Sequence, residues 1–386
     1  MRAQLAGFSL LFAAGMWMSK VAQPLHFAEA DAMVAFGVGY AIMAVVGGLS
    51  FIWGAIADRV GGLAAVRAGA TIYAIGIAGR MFTDIGPSIA FSAIAGAGAS
   101  LALVGIRPWI RAQATDGEIP KIVAARNLGN QTGVVLGSVG AAAVFALANQ
   151  TQSGPVLALW LAPVLVLLGV LWLLFSSRSR GSWTPQSDTK ASTSGHARIS
   201  VKLAIVGVLS GFYVSLVVPY IPLVLTQGGL PDYGAAIVVA AMSSTQIAAT
   251  GILARLGTRA RPFALFVVSE AATGVLTIGV ALALQMGWAL VAVLLLTRAA
   301  CIAIAVTTEE TLQYAVIPAG AAGLVFGISQ TAFLVGDAAG GALGGFFWTS
   351  TGAEGLMLLA GGATFVNAFL LPALLHREVP ESARAG

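Results

Sequence analysis

Twelve apolar runs, each long enough to cross the hydrocarbon core of a bilayer, follow one another along the chain. About 30 Å of hydrocarbon needs about 20 residues of helix. Only 9% of the 386 residues are charged and 58% are hydrophobic, whereas roughly a quarter of a soluble protein is charged. The pattern therefore predicts an all-α integral membrane protein with twelve transmembrane helices. The runs cover 3–23, 32–55, 64–83, 87–111, 125–148, 155–176, 201–226, 233–255, 262–284, 287–309, 321–349 and 354–375.

The distribution of lysine and arginine predicts the orientation. If both termini are cytoplasmic, seventeen of the twenty basic residues lie on or near the cytoplasmic side. Lys20 and Arg80 then fall toward the outside, and Arg298 lies within a run. Short cytoplasmic loops carry an excess of positive charge. We therefore expect a multi-pass protein of the cytoplasmic (inner) membrane with both termini inside.

A single long hydrophilic stretch divides the runs into two sets of six. Residues 177–200 are rich in Ser, Thr and Gly, a composition typical of flexible linkers. We predict an N-terminal six-helix bundle over 1–176, a cytoplasmic linker over 177–200, a C-terminal six-helix bundle over 201–376 and a short cytoplasmic tail over 377–386.

A charged, glycine-containing loop joins the second and third runs. Its glycines allow a tight turn and a close approach of two helix ends. The loop resembles the signature of the major facilitator superfamily, roughly G-x-L-A-D-R-x-G-R-R/K, with Ile56 in place of the usual Leu. The matching residues are Gly54, Ala57, Asp58, Arg59 and Gly61. The resemblance implies two pseudo-symmetric six-helix bundles that expose a central site alternately to each side of the membrane.

A degraded copy of this motif follows the eighth run, 197 residues further along. Arg255 replaces the acid of the first copy. In each half, a residue whose charge is opposite to that of the motif lies at the end of a later run. We therefore expect two ion pairs at the cytoplasmic rim; the alternative is that these charges are solvated in the loops. The pairs would join Asp58 to Arg107 or Arg111, and Arg255 to Glu309 or Glu310. Pairs of this kind, made in one state and broken in another, would supply a gate.

Glycine recurs at helical spacing in the fifth and eleventh runs. Small residues every three or four positions let helices pack backbone to backbone. The resemblance implies that these two helices lie at the contact between the halves. The glycines are Gly129, Gly133, Gly137 and Gly140 in the fifth run, and Gly336, Gly340 and Gly344 in the eleventh.

A few charges lie inside the apolar runs, where they are costly and need a reason. Arg298 and Asp337 fall near mid-depth, and we expect them to pair, either as a permanent salt bridge or as a proton-coupling or substrate-anchoring element. Glu270 is interpreted first as an interhelical or snorkelling glutamate and second as a coupling residue. Lys20 lies near the outer end of the first run. The resemblance places the cavity among the first, fourth, seventh and tenth helices, with candidate aromatic contacts at Trp17, Phe212, Tyr213 and Tyr220. Candidate hydrogen-bonding residues are Gln131 in the fifth run and Gln330 in the eleventh.

The sequence favours a secondary transporter that is not an enzyme and needs no cofactor or metal. The single cysteine, Cys301, and three scattered histidines exclude a disulfide framework within one chain and argue against a metal cluster. A phosphate-binding loop that would serve ATP-driven pumping is missing, and the dispersed basic residues do not favour nucleic acid. We expect a monomer in the lipid bilayer whose partners are a small-molecule substrate and protons, with proton-coupled efflux of a drug or metabolite as the function. The alternatives are uptake or exchange of an anionic metabolite anchored by Arg298 and, in another class, a non-transporting membrane sensor.

Overall fold

The computed structural model describes residues 1–113, 119–148, 154–176, 197–256, 262–316 and 322–376, and all regular elements in them are helical. The α-helices in chain order are α1 Arg2–Glu29, α2 Met33–Gly48, α3 Ser50–Val60, α4 Gly62–Ala78, α5 Ile85–Gln113, α6 Ile119–Ala148, α7 Gly154–Ser176, α8 Ala197–Val217, α9 Ile221–Gln227, α10 Asp232–Leu256, α11 Pro262–Ala283, α12 Trp288–Val316 and α13 Ala322–Leu375.

These helices confirm the predicted membrane fold. Within the described ranges ten helical segments are long and apolar enough to cross a membrane, and α2 is a shorter apolar helix. The second predicted run is divided into α2 and α3 at Leu49. The last two predicted runs are joined in α13, where Gly352 has φ 68° and ψ −169°. This conformation favours glycine and interrupts the helix between the two runs.

Prolines affect two runs differently. The first helix continues through Pro24 to Glu29, so the predicted end at residue 23 was too early. A proline inside a helix removes one backbone hydrogen bond, which neighbouring helices can tolerate. In the seventh run a 3-10 turn at Val218–Tyr220, which contains Pro219, separates α8 from α9.

The chain divides into two compact units. The first comprises Met1–Asp188 with Pro231–Ala240, and the second comprises Thr189–Leu230 with Ala241–Gly386. In the first unit α4 and α2 pack on α5, and α1 packs on α6 and α7. In the second unit α8 packs on α13, and α11 packs on α12 and α13.

The glycine-rich faces pack inside these units. A Cβ atom at Gly133 would overlap the carbonyl oxygen of Leu10 in α1, and one at Gly336 would overlap that of Val208 in α8. The same backbone-to-backbone contact recurs at Gly340, which faces Phe212. Close packing was therefore expected correctly, but its partners are α1 for α6 and α8 for α13, within one unit each.

Candidate functional site

The glycine motif forms the end of α3 and the turn into α4. Gly61 has φ 88° and caps α3, so this position needs a residue without a Cβ. Ala57 is fully buried and packs with Ala65 and Leu101, while Arg59 is exposed. A Cβ atom at Gly54 would make only ordinary van der Waals contact with Val104 of α5. The motif thus produces the tight helix–turn–helix expected of it.

The predicted rim pairs fall largely outside the described side chains. This applies to Asp58, Arg107, Arg111 and Arg255. The carboxylate of Glu309 accepts a hydrogen bond from Gln313 Nε2 at 2.9 Å, one turn further along α12, and Glu310 is exposed. The rim pairs therefore stay predictions.

The centre of the second unit contains a buried carboxylate held by two other helices. Glu270 on α11 is 1% exposed. Its Oε1 accepts a hydrogen bond from the Tyr213 hydroxyl of α8 at 2.5 Å and another from Asn367 Nδ2 of α13 at 2.9 Å. Both donors are themselves buried. We call these three residues, with Thr277 and Arg298, the buried polar network.

Arg298 supplies the positive charge of this network. It is 2% exposed on α12, and its Nε donates a hydrogen bond to Thr277 Oγ1 of α11 at 2.8 Å. The guanidinium lies within electrostatic range of the Glu270 carboxylate. Two buried polar atoms of the network have no hydrogen-bond partner, Arg298 Nη2 and Asn367 Oδ1. Because these two atoms make no hydrogen bond, the network can accept a proton or a polar ligand group without breaking its existing hydrogen bonds.

Asp337 also lies in the second unit. Its side chain is buried, and its backbone lies beside Gly211 on the face of α13 that packs against α8. Arg298 donates a hydrogen bond to Thr277 of α11 and lies within electrostatic range of Tyr213 and Glu270. The pairing of Arg298 with Asp337 stays a prediction.

Two network residues, Thr277 and Asn367, were missed by the sequence reasoning. A signal for the first was available: Glu270, Thr273 and Thr277 recur at spacings of three and four in an apolar run, and all three are buried. Such spacing places polar groups on one helix face. The asparagine stands alone in the last run, and its meaning depends on a tertiary contact that no local pattern contains.

The remaining candidates are dispersed. The Lys20 ammonium lies 5.2 Å from the ring centroid of Trp17, one turn earlier in α1, which is within cation–π range. Tyr220 is buried and its ring stacks on Trp348 at 5.6 Å. Phe212 is half-buried, and Gln131 and Gln330 are exposed side chains on α6 and α13.

The first unit contains a cavity that was not predicted. It has a volume of about 410 Å³, a size within the range of ordinary ligand sites. Two carboxylates line it, Glu29 at the end of α1 and Asp232 at the start of α10, with Phe145 and Tyr233 among the other walls. Its lining is therefore acidic and partly aromatic.

Comparisons with known proteins agree with this architecture. A sequence model of the Major Facilitator Superfamily matches residues 3–341, and the match includes most of the buried polar network. No curated protein sequence matches the chain.

Several solved transporter structures share the fold. The crystal structure of the nucleoside transporter NupG is 15% identical, with a TM-score of 0.77 over 97% of this chain and 98% of that one. A D-xylose–proton symporter is 16% identical, with a TM-score of 0.73 over 99% and 98%. A bacterial homologue of the human lysosomal transporter Spinster, in an inward-facing and occupied conformation, is 15% identical, with a TM-score of 0.73 over 99% and 97%.

Proposed function

The chain belongs to the major facilitator superfamily and is a secondary transporter, and we propose that it exports a small organic solute, a drug or a metabolite, in exchange for protons. The observation that carries the proposal is the buried polar network, in which Glu270 and Arg298 are both buried and lie within electrostatic range of each other. Ionisable groups at such depth mark ion or proton pathways by default.

In the charged state the network is balanced. The Glu270 carboxylate accepts hydrogen bonds from Tyr213 and Asn367 and offsets the charge of Arg298. These bonds are charge-assisted, and therefore stronger than bonds between neutral groups. The second unit consequently has a preferred packing of α8, α11, α12 and α13 as long as Glu270 is ionised.

Proton uptake by Glu270 removes this balance. The carboxyl group becomes neutral, its two hydrogen bonds weaken, and Arg298 is left as a buried charge that keeps its hydrogen bond to Thr277. A conformation that gives the guanidinium water or another counter-charge is then favoured. The proton thereby shifts an equilibrium between two packings, which is the requirement for coupling.

Exchange of solute for protons follows if the transporter binds either a proton or the solute, but not both at once. The proton-bound form then reorients in one direction and the solute-bound form in the other, so that the inward proton gradient drives the solute outward. The glycine turn at Gly61 and the predicted rim pairs are the proposed gate on the cytoplasmic side. An anionic substrate anchored by Arg298 is less well supported, because a carboxylate of the protein already faces this arginine.

The test uses purified protein in liposomes with a pH-sensitive dye inside and a panel of solutes outside. For the wild type, a transported solute should make the lumen more alkaline, because solute enters as protons leave. Glu270→Gln should lose this proton movement yet keep solute–solute exchange. The matched control is Glu354→Gln, which removes an exposed carboxylate from α13 of the same unit and should behave as the wild type.

The other outcomes are equally informative. Acidification of the lumen would contradict exchange and indicate transport of solute and proton together. A wild-type dye response in Glu270→Gln would remove Glu270 from proton coupling, and loss of that response in Asp337→Asn instead would assign the role to Asp337. If no solute of the panel moves protons across wild-type liposomes, the proposal of proton-coupled export fails.

A further inference from the structure

The first unit contains a buried arginine of its own. Arg80 follows α4 in a short 3-10 turn, Gly79–Met81, and is 4% exposed. Its Nη1 donates a hydrogen bond to Ser19 Oγ of α1 at 2.9 Å, and its Nη2 points at the Met43 sulfur of α2 at 2.7 Å. The guanidinium is therefore fixed where three helices meet.

Among the described residues, no carboxylate offsets this charge. The side chains in electrostatic range of Arg80 are Tyr73 and Tyr40, which are uncharged at neutral pH. A thioether is a weak acceptor, and the Nε of Arg80 is buried without a hydrogen-bond partner. Arg298 of the second unit is buried to the same degree but faces Glu270.

One edge of the guanidinium has the donor geometry of an oxyanion site. Nε and Nη2 lie side by side along one edge of the planar group, and that edge meets only a sulfur atom and an unpartnered position. Carboxylate and phosphate oxygens bind such an edge through two parallel hydrogen bonds. Meanwhile Ser19 holds the other nitrogen and sets the orientation.

We propose that Arg80 binds the oxyanion of a ligand, a carboxylate or a phosphate, which takes the place of Met43 against Nη2. The ligand supplies the counter-charge that the first unit lacks and is held bidentately. Two sources fit this chemistry, a dissolved organic or inorganic anion and the phosphate of an anionic lipid, because Arg80 lies at the end of the apolar segment Gly62–Met81. The site is separate from Glu270 and Arg298, so it goes beyond the proposed export function.

The experiment measures the thermal stability of delipidated protein in a neutral detergent. Acetate, inorganic phosphate and sulfate are titrated against chloride at constant ionic strength, and phosphatidylglycerol is titrated against phosphatidylcholine. A ligand that binds only the folded state raises the midpoint in a saturable way. We expect such a rise for the wild type, its loss in Arg80→Gln, and at least about tenfold weaker binding in Arg80→Lys, which keeps the charge but not the two-pronged geometry.

Arg67→Gln is the matched control. It removes the α4 guanidinium that donates to the Leu173 carbonyl, and it should leave the response to oxyanions unchanged. A response to free anions identifies a soluble ligand, whereas a response to phosphatidylglycerol alone identifies a lipid headgroup; both support the oxyanion site.

A second variant keeps the proposal testable if Arg80→Gln does not fold. Met43→Glu places a carboxylate against Nη2, so it should raise the midpoint without any ligand and abolish the response to oxyanions. The proposal is overturned if Met43→Glu or Arg80→Gln responds to every oxyanion and lipid as the wild type does. It is also overturned if none of these ligands stabilises the wild type.

Discussion

Breaking the Glu270–Arg298 pair from one side should cost far more than removing both charges. In Arg298→Met the methionine fills a similar volume, but the Glu270 carboxylate stays buried with only two hydrogen-bond donors. Removing one partner of a buried pair typically costs about 3–5 kcal/mol, whereas an apolar replacement of the whole pair is close to neutral. The residues are 1% and 2% exposed, so solvent screening does not reduce these values.

The measurement is a double-mutant cycle by reversible unfolding in mixed micelles. We expect Arg298→Met and Glu270→Gln to lose about 3–5 kcal/mol each, and the double variant to lose about 1–2 kcal/mol. The coupling free energy is then several kcal/mol. The deficit of Arg298→Met should also shrink as the pH falls, because a protonated carboxyl no longer buries an unpaired charge.

Additive losses would refute the reasoning. If the double variant loses the sum of the single losses, the two groups do not compensate each other, and a proton on Glu270 cannot act through Arg298. A deficit of Arg298→Met that does not change with pH would show that the charge of Glu270 does not contribute to it, and the predicted pH dependence would fail.

Two further predictions concern the packing and the orientation. Gly336→Ala should lose about 1–3 kcal/mol, as overpacked cores do, because the new methyl group overlaps a carbonyl oxygen of α8, whereas Gly327→Ala on the same helix meets nothing within 4 Å and should be neutral or slightly stabilising. Equal losses in the two variants would disprove the close helix contact. A cysteine introduced in 177–200, after removal of the native one, should react with a membrane-impermeant maleimide only from the cytoplasmic face; reaction from outside would reverse the predicted topology.

The fold was largely accessible from the sequence because the bilayer imposes a length. Each apolar run had to span the hydrocarbon as a helix, and the described helices follow the twelve runs. The errors lie at Pro24, which α1 passes, and at Leu49, where the second run breaks. Both depend on how neighbouring helices satisfy freed backbone groups, and the sequence of one run does not contain that information.

The site was only partly accessible. Glu270 and Arg298 were recognised as unusual one by one, since ionisable groups in apolar runs need a reason, and Tyr213 was named only as a cavity contact. Their grouping was missed, because the sequence of single runs does not show which helices pack together. In the structure α11 lies against both α12 and α13, which brings Glu270 and Asn367 together across 97 residues.

The predicted internal repeat relates the surroundings of the two buried arginines. The offset of 197 residues that relates the two glycine motifs also relates Tyr73 to Glu270 and Arg80 to Thr277. On α11 the acid lies two turns before the threonine that orients the arginine of α12. In the first unit these positions hold the phenol of Tyr73 on α4 and Arg80 itself in the 3-10 turn that follows. The position that supplies a carboxylate in the second unit therefore supplies none in the first. A buried charge is stable only with a partner. The rule therefore predicts opposite changes in the free energy of unfolding in the two units. An acid added at Met43 should stabilise the protein, whereas removal of the acid at Glu270 should destabilise it.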